Sequence, residues 1–276
     1  MLKDRVRSSA FLVPLLLVIL WLGEPWVTVA VAVTVALAAR EVFTLLKAAG
    51  HPAFPALGLV LAVVVAIGDA IPSLPTGSGM LLASIGIALT GAAALTWSDP
   101  REGLAGFMTT TFGALYVGLL GFVPRLADGA PTIGDGAPLG FLGREFGWLL
   151  VLVLGVWAFD TGAYFVGRRF GRRLLMRHIS PGKTVEGVIG GTAAVTLLTM
   201  ILVVGLGRDW FAGLLLGPVI ALAAQAGDLV ESMLKRAAGV KDSGNAIPGH
   251  GGVLDRIDSF LFAAPAVVLY VLVAFR

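Results

Sequence analysis

The sequence predicts an all-α polytopic membrane protein with about nine transmembrane helices and a cytoplasm-facing polar site built from the C-terminal half of the chain. Composition is the first reason: 57% of the 276 residues are hydrophobic and only 13% are charged. About a quarter of the residues of an ordinary soluble domain are charged. The second reason is the recurrence of apolar runs that can cross roughly 30 Å of hydrocarbon. The third is that charged residues gather between the last of these runs.

Nine apolar runs are the candidate transmembrane helices. A membrane-spanning helix needs about 20 predominantly apolar residues. The runs lie at residues 9–23, 26–46, 55–72, 78–97, 104–126, 146–167, 185–206, 210–233 and 257–275. The first run is also similar to the apolar region of a signal peptide, because basic residues precede it. A membrane span is favoured there, since no soluble segment follows that would be exported.

Charge and cysteine content exclude several classes of protein. The formal net charge is +3 and the chain has no cysteine. Disulfides, thiolate metal sites and cysteine nucleophiles are therefore excluded. A net positive charge alone is a weak indication of nucleic-acid binding, and membrane proteins collect Lys and Arg in their cytoplasmic loops. We therefore expect no nucleic-acid partner.

The basic residues predict the orientation in the membrane. With the N-terminus in the cytoplasm and the C-terminus outside, nearly all of the 20 Lys and Arg residues lie on the cytoplasmic side. The four exceptions are Arg125, Arg144, Arg208 and Arg276. This distribution agrees with the positive-inside rule. Two polar loops, 168–184 and 234–256, then share the cytoplasmic face.

Polar residues divide the chain into two parts. Residues 1–145 are predicted to be scaffold helices with possible oligomer contacts, and residues 146–276 to be a catalytic transmembrane region. Glu41 and Asp69 lie near the ends of runs, where capping or snorkelling explains an isolated acid. The 37 glycines suit helix packing within one subunit or between two, so a homodimer is one expectation.

The first polar segment of the C-terminal part contains a carboxylate and a group of arginines. Asp160 lies toward the cytoplasmic end of an apolar run, with Tyr164 one helical turn away on the same face. A carboxylate in a membrane helix generally faces a polar partner or cavity, so both a structural hydrogen bond and a role in a site remain open. Five arginines within residues 168–177 are explained mainly as an anchor to anionic lipid headgroups.

The next segment reads SPGKTVEG, residues 180–187. Ser180 and Pro181 predict a turn, and Gly182 permits close approach of the backbone. Lys183 and Thr184 stand at the start of the next helix, where a lysine and exposed backbone N–H groups suit phosphate oxygens. The segment is not a Walker A loop, because the first glycine and its spacing are missing.

Two pairs of carboxylates flank the last polar loop. Asp228 and Glu231 are three residues apart on a predicted helix, so both project from one face. Asp255 and Asp258 repeat this spacing at the start of the final helix. Hard divalent cations take oxygen ligands and usually retain water and substrate phosphates. We therefore predict that these four acids bind metal.

The loop between the acidic pairs carries basic residues and glycines. These are Lys235, Arg236, Lys241, His250, Gly244, Gly249, Gly251 and Gly252. Acids for metals, bases for phosphates and glycines for close approach are what phosphoryl or nucleotidyl transfer requires. We interpret the loop as one that holds a polyphosphate and its metal at the membrane surface.

The segment from Ser232 to Asp258, SMLKRAAGVKDSGNAIPGHGGVLDRID, resembles the signature of the phosphatidate cytidylyltransferases, or CDP-diacylglycerol synthases. Its Lys-Arg, Lys-Asp, His-Gly-Gly and Asp-Arg-x-Asp elements together make the match specific. DTGAYFVGRRFG and SPGKTVEG are similar to the two preceding motifs of the family, so the resemblance covers residues 155–276. One departure is Gly182, where many members have a second lysine that would contact phosphate.

The resemblance implies transfer of the cytidylyl group from CTP to phosphatidate, giving CDP-diacylglycerol and pyrophosphate, in a bacterial inner membrane. It implies magnesium as the cofactor, with room for a second cation. The implied metal ligands are Asp228, Asp255 and Asp258, with Glu231 as a helper. The implied catalytic residues are Asp228, Lys235, Arg236, Lys241, Asp255 and Asp258. The implied substrate-binding residues are Asp160, Ser180, Lys183, Thr184, Glu186, His250, Gly251, Gly252 and Arg256.

Three other classes of protein compete with this assignment. A CTP-dependent lipid kinase of the polyprenol type would use the same acids but transfer the γ-phosphate. A CDP-alcohol phosphotransferase would need paired DG and AR elements with acids spaced by four, which the sequence lacks. A transporter would need acids along a transmembrane path, whereas these acids gather on one face and no internal repeat is visible.

Overall fold

Helices make up most of the described chain. The computed structural model describes residues 2–70, 75 and 77–275, with side chains from Val6 onward. The helices are α1 (Leu2–Leu22), α2 (Trp26–Ala48), α3 (Pro55–Ile67), α4 (Ser78–Ala94), α5 (Pro100–Gly118), α6 (Phe122–Asp128), α7 (Arg144–Phe170), α8 (Val185–Gly205), α9 (Trp210–Ala237) and α10 (Leu254–Ala274). A 3-10 turn at Leu119–Gly121 joins α5 to α6, and another at Gly140–Leu142 precedes α7.

Six segments of the described chain are long and apolar enough to cross a membrane. They are Trp26–Ala48, Pro100–Asp128, Arg144–Phe170, Val185–Gly205, Trp210–Ala237 and Leu254–Ala274. The predicted fold class, an all-α polytopic membrane protein, is thus confirmed. Three shorter apolar helices of 10–17 residues, Val6–Leu22, Pro55–Ile67 and Ser78–Ala94, correspond to the first, third and fourth predicted runs. The count of nine crossings therefore stays a prediction, and the end of the run 55–72 lies outside the described residues.

An antiparallel β-hairpin, which the sequence did not predict, joins α7 to α8. Its strands are β1 (Leu174–Met176) and β2 (Ser180–Thr184). The turn lies at residues 177–179, so the predicted turn at Ser180 and Pro181 is wrong. Proline is tolerated in β2 because a strand at the edge of a sheet leaves one row of N–H groups outside the ladder.

Helix α8 begins where the sequence predicted, directly after β2. The hydroxyl of Thr184 accepts a hydrogen bond from the backbone N–H of Gly187 at 3.1 Å, which is the ordinary geometry of a threonine N-cap. Lys183 is therefore held at the junction of a strand and a capped helix.

The chain packs into two compact units, each formed from two separate segments. Unit 1 comprises Met1–Pro124 and Met233–Ile257, and unit 2 comprises Arg125–Ser232 and Asp258–Arg276. Two of the boundaries between the units fall within α9 and α10. The predicted functional division at residue 145 is a separate hypothesis that these units do not address.

Small residues allow close helix packing in the core of unit 1. The Phe43 ring of α2 is 2% exposed and lies against Gly113 of α5. A Cβ atom added to Gly113 would lie 2.8 Å from a ring carbon of Phe43, which leaves no room for a side chain. This packing fixes the part of α2 that carries Glu41.

Aromatic residues link the helices of unit 2. Trp148 of α7 is fully buried, and its indole N–H donates to the carbonyl oxygen of Pro131 at 3.2 Å. Its ring also meets the edge of Phe275, with the ring centroids 5.3 Å apart. The Tyr270 hydroxyl of α10 donates to the carbonyl oxygen of Ala212 in α9 at 2.8 Å, so the two helices that carry the acids of this unit are tied together.

Candidate active site

Three of the predicted metal-binding acids come together in unit 2. Asp228 and Glu231 lie one turn apart on α9, and Asp258 lies on α10. One carboxylate oxygen from each lies within 4.8 Å of the other two. Glu231 is fully buried, whereas Asp228 and Asp258 are partly exposed. An all-carboxylate donor set of this size fits a hard divalent cation, since such ions prefer oxygen ligands.

Gly227 allows α9 and α10 to approach each other at these carboxylates. A Cβ atom on Gly227 would lie 3.2 Å from the carbonyl carbon of Asp258 and 3.3 Å from the Cα of Ser259. A side chain at this position would push the helices apart, because small residues are what permit such contact. The glycine next to Asp228 is therefore part of the reason that the three acids converge.

Lys183 forms an ion pair with this acidic cluster. Its Nζ contacts Oδ2 of Asp228, and the two side chains are 22% and 29% exposed. Asp228 also accepts a hydrogen bond from the Ser232 hydroxyl at 3.3 Å. The sequence predicted a phosphate-binding role for Lys183 but no contact with Asp228, because 45 residues separate them. The pair stays accessible to a ligand, since neither member is fully buried.

A cavity of about 510 Å³ opens beside the ion pair within unit 2. Helices α7, α8 and α9 and strand β2 line it. Its polar lining includes Asp160, Tyr164, Arg168, Lys183, Thr184, Gln225 and Asp228. Asp160 lines this cavity. This agrees with the expectation that a carboxylate in a membrane helix faces a polar partner or a cavity. Residues predicted to bind phosphate and an acid predicted to bind metal therefore share one cavity.

Glu186 holds the β-hairpin onto the start of α8. Its Oε2 accepts the backbone N–H groups of Arg172 at 3.0 Å and Arg173 at 3.1 Å. Its other oxygen forms an ion pair with the Arg173 guanidinium group, with Nε and Oε1 3.4 Å apart. Glu186 therefore orients the segment that carries Lys183. A direct contact of Glu186 with substrate stays a prediction.

Asp255, the fourth predicted ligand, lies in unit 1. It binds Lys235 of α9 and groups of the signature loop, residues 238–253 between α9 and α10. Its Oδ1 accepts a hydrogen bond from Lys235 Nζ at 2.7 Å. Its Oδ2 accepts the backbone N–H groups of Ser243 at 2.9 Å and Gly252 at 2.8 Å. Gly251 has φ of +85°, and a Cβ atom there would lie 2.7 Å from Asp255 Oδ2. The hydrogen bonds of Asp255 thus stabilise the conformation of the loop. The role of Asp255 as a metal ligand stays a prediction.

Glu41 is not among the residues that the sequence predicts for the site, yet it contacts the signature loop. Its Oε1 accepts the backbone N–H of Val253 at 2.9 Å, and its Oε2 accepts that of Leu254 at 2.8 Å. Oε2 also accepts the hydroxyl of Ser243 at 2.9 Å. These bonds join α2 to the end of the signature loop and the first residue of α10. The sequence favoured capping or snorkelling as the explanation for Glu41. Its hydrogen bonds to residues more than 200 positions away show a further, tertiary role.

The remaining predicted residues of unit 1 lie on the signature loop and its flanking helices. The guanidinium Nη2 of Arg256 donates to the carbonyl oxygen of His250 at 2.8 Å. His250 Nδ1 lies 2.6 Å from the hydroxyl of Ser8 in α1. Arg236 Nη1 donates to the carbonyl oxygen of Val240 at 3.2 Å, and Lys241 is exposed. Two of these contacts involve a backbone group of the loop, and His250 also contacts α1.

Comparison with known proteins extends the similarity beyond the C-terminal motifs. The profile of the Cytidylyltransferase family matches residues 3–274. A phosphatidate cytidylyltransferase of Synechocystis is 34% identical over 97% of this chain and 96% of that protein. Phosphatidate cytidylyltransferases of Bacillus subtilis and Haemophilus influenzae are 51% and 49% identical over shorter segments, which cover 43% and 42% of this chain and 44% and 43% of those proteins.

Proposed function

We propose that Asp228, Glu231 and Asp258 bind the divalent cation of the reaction in this chain, which belongs to the cytidylyltransferase family. Its activity is nucleotidyl transfer: the cytidylyl group of CTP passes to phosphatidate and gives CDP-diacylglycerol and pyrophosphate. The convergence of the three carboxylates within 4.8 Å is the observation that carries the proposal. Mg²⁺ is the proposed ion, because it prefers oxygen ligands and is commonly bound by carboxylates together with substrate phosphates.

The reaction needs neutralisation of charge more than it needs a protein base. An oxygen of the phosphatidate phosphate attacks the α-phosphorus of CTP, and the bond from that phosphorus to the departing pyrophosphate breaks. The attacking oxygen is already anionic, so His250 need not remove a proton. A divalent cation at the three acids would reduce the repulsion between the two anionic substrates. Basic side chains of the chain add to this effect.

Lys183 is proposed to exchange partners when CTP binds. Its ammonium group contacts Asp228 in the structure, where it balances part of the charge of the acidic cluster. A cation bound to Asp228 would repel this ammonium group, while the phosphates of the nucleotide would attract it. Lys183 would then leave the carboxylate and contact the phosphates.

Lys183→Met should therefore change metal affinity and turnover in opposite directions. Loss of the competing ammonium group should strengthen binding of Mn²⁺ in the absence of CTP by about tenfold. Loss of a charge-assisted phosphate contact should lower kcat/KM for CTP by about tenfold or more. Electron paramagnetic resonance of Mn²⁺ and steady-state kinetics measure the two effects.

Arg177→Met is the matched control for this prediction. Arg177 is exposed in the turn of the same hairpin, so the substitution removes an equal charge without touching Asp228. Both measured quantities should stay within about twofold of the wild type, since exposed charges interact weakly. If Lys183→Met weakens Mn²⁺ binding as well as turnover, the exchange of partners is wrong.

Isotope transfer tests the proposed reaction and its metal dependence. Purified protein would be incubated with phosphatidate, Mg²⁺ and CTP labelled at either the α- or the γ-phosphate. We expect the α-label to appear in the chloroform-soluble product and chelation of the metal to stop its appearance. Appearance of the γ-label there would indicate a lipid kinase. Undiminished α-label transfer in excess chelator would contradict the metal dependence.

The chain is an integral membrane protein, and the bacterial origin of its relatives supports a bacterial inner membrane as its location. The proposed orientation, with the N-terminus and the signature loop in the cytoplasm, rests on the distribution of Lys and Arg. We further propose that four basic residues contact phosphates: Lys235, Arg236, Lys241 and Arg256. Ser180, Gly251 and Gly252 are proposed to approach the nucleotide. A second cation and a homodimer complete the proposal.

Single cysteines test the orientation, because the chain has none of its own. Asn245 in the signature loop and Asp135 in the loop before α7 are both exposed, so each is suitable for labelling. Asn245→Cys should react with an impermeant thiol reagent only from the cytoplasmic side, and Asp135→Cys only from the opposite side. Reaction of both from one side would contradict the predicted number of crossings between them.

A further inference from the structure

Gln225 is a buried amide in an otherwise apolar part of α9. It is the single glutamine of the chain, and only 8% of its surface is exposed. Its Nε2 is buried and has no hydrogen-bond partner among the residues that the structure describes. An unsatisfied buried donor is destabilising, so buried polar groups are nearly always paired. A hydrogen-bond acceptor of a bound ligand would satisfy this Nε2 donor.

The cavity next to the acidic cluster can supply that partner. Gln225 lines the same cavity of about 510 Å³ as Lys183 and Asp228. It was not among the predicted site residues, since a lone amide in a helix has no spacing that indicates chemistry. A residue that lines a cavity and carries an unpaired donor is suited to bind a ligand in that cavity, once its side chain turns the donor toward the ligand.

The position of Gln225 along α9 restricts the kind of ligand. It precedes Asp228 by three residues, which corresponds to a rise of about 4.5 Å along the helix. No charged residue lies between Trp210 and Gln225, whereas Asp228, Glu231, Lys235 and Arg236 all follow it. Gln225 thus lies on the apolar side of the charged groups of this helix.

The chemistry of the amide agrees with that position. Phosphate oxygens are best matched by cationic donors, and Lys183 and Arg168 of the same cavity provide them. A neutral N–H donor on the apolar side matches a neutral acceptor that is joined to apolar groups. The lining also contains the apolar side chains of Phe159, Ala163 and Val188, beside which an acyl chain can lie.

We propose that Nε2 of Gln225 donates a hydrogen bond to an acyl ester carbonyl oxygen of phosphatidate. The ester groups of this lipid lie between its phosphate and its acyl chains, so one cavity can hold phosphate near Lys183 and an ester near Gln225. The inference rests on the proposed function, because it takes this cavity as part of the active site. It adds that the cavity receives the lipid substrate.

An ether-linked analogue of phosphatidate tests the contact directly. The analogue keeps the phosphate and the chains but has no ester carbonyl oxygens. Wild-type protein should use the ester substrate with a kcat/KM roughly 3- to 10-fold higher than that for the ether analogue, the range expected for one neutral hydrogen bond. Gln225→Met keeps the length of the side chain without the donor, so this preference should disappear while the KM for CTP is unchanged.

Two further variants separate the contact from a general loss of stability. Thr199→Val removes another buried polar group of unit 2, whose hydroxyl lies 2.9 Å from the carbonyl oxygen of Val195 and 2.8 Å from that of Gly213. This variant should keep the ester preference even if it lowers stability. Gln225→Glu keeps the shape of the side chain and replaces the donor with an acceptor, so it should lose the preference as Gln225→Met does.

The outcomes distinguish this inference from the proposed metal site. An ester preference that persists in both Gln225 variants, an absence of preference in the wild type, or a defect confined to CTP would overturn the lipid contact. None of these results depends on binding of Mn²⁺ by wild-type protein, which tests the acidic cluster. Gln225→Met should bind Mn²⁺ as the wild type does, and loss of that binding would place Gln225 in the metal site instead.

Discussion

Asp258→Asn should lower kcat/KM by about 100-fold or more while the protein stays folded. Asparagine keeps the size of the side chain and one neutral oxygen, but it removes the charge that would hold a divalent cation beside Asp228 and Glu231. Steady-state turnover over a range of Mg²⁺ concentrations measures the effect, and the thermal unfolding midpoint checks the fold. The loss should be greatest at limiting Mg²⁺, because the affinity for the ion is what the substitution weakens.

A purely structural role for Asp258 predicts a different result. Asp258 lies one turn after Leu254, the first residue of α10, and its Oδ1 accepts the backbone N–H of Ser259 at 2.7 Å. Asparagine can accept such a local bond nearly as well as aspartate, as it does when it replaces an aspartate that caps a helix. Asp209 caps α9, since its Oδ1 accepts the backbone N–H of Phe211 at 2.7 Å. Asp209→Asn is therefore the matched control and should keep activity within about twofold. Folded Asp258→Asn protein with normal turnover at limiting Mg²⁺ would show that Asp258 is not a metal ligand.

Glu41→Gln should lower activity by roughly 10- to 100-fold, although it is nearly isosteric. Both carboxylate oxygens of Glu41 accept backbone N–H groups, one from Val253 and one from Leu254. Whichever oxygen becomes an NH₂ group then faces another donor, and rotation of the amide cannot remove this conflict. The signature loop should lose its attachment to α2, and Asp255 and Lys235 should lose their fixed positions.

Hydrogen exchange measures this loss of attachment independently of activity. In Glu41→Gln, exchange should rise in peptides that cover residues 243–254 and stay unchanged in the core of α2. Glu145→Gln is the matched control, because Glu145 is 41% exposed and forms an ion pair with Arg144 at 4.0 Å. Near-normal activity in Glu41→Gln, or a rise in exchange throughout unit 1, would contradict the positioning role.

The acidic cluster was predictable because its geometry is largely local. Asp228 and Glu231 share one helix, so a spacing of three residues places them on one face whatever the rest of the fold is. Asp258 was added because it repeats this spacing with Asp255 at the start of the final helix, and its segment also resembles a family motif. In the structure the three acids come together, with one carboxylate oxygen of each within 4.8 Å of the other two. The fold class was predictable for a similar reason, since hydrocarbon admits only long apolar helices or closed barrels.

The missed features depend on contacts that are distant in sequence. Glu41 is separated from Val253 by 212 residues, so no local pattern links the acid to the loop that it holds. Ser180 and Pro181 have the composition of a turn, but pairing with β1 places them in a strand. The sequence does not predict a role for Gln225, because a single amide forms no recognisable motif. Its burial and the cavity beside it are visible only in the structure.

Binding of Mn²⁺, followed by electron paramagnetic resonance, is the most direct test of the central claim that Asp228, Glu231 and Asp258 hold a divalent cation. Protein in detergent would be titrated with Mn²⁺ in the presence and absence of an unreactive CTP analogue. Wild-type protein and Asp209→Asn should bind the ion with equal affinity. Asp228→Asn, Glu231→Gln and Asp258→Asn should each weaken binding by about tenfold or more, since each removes a charged oxygen ligand. Wild-type affinity for Mn²⁺ in all three variants would contradict the account.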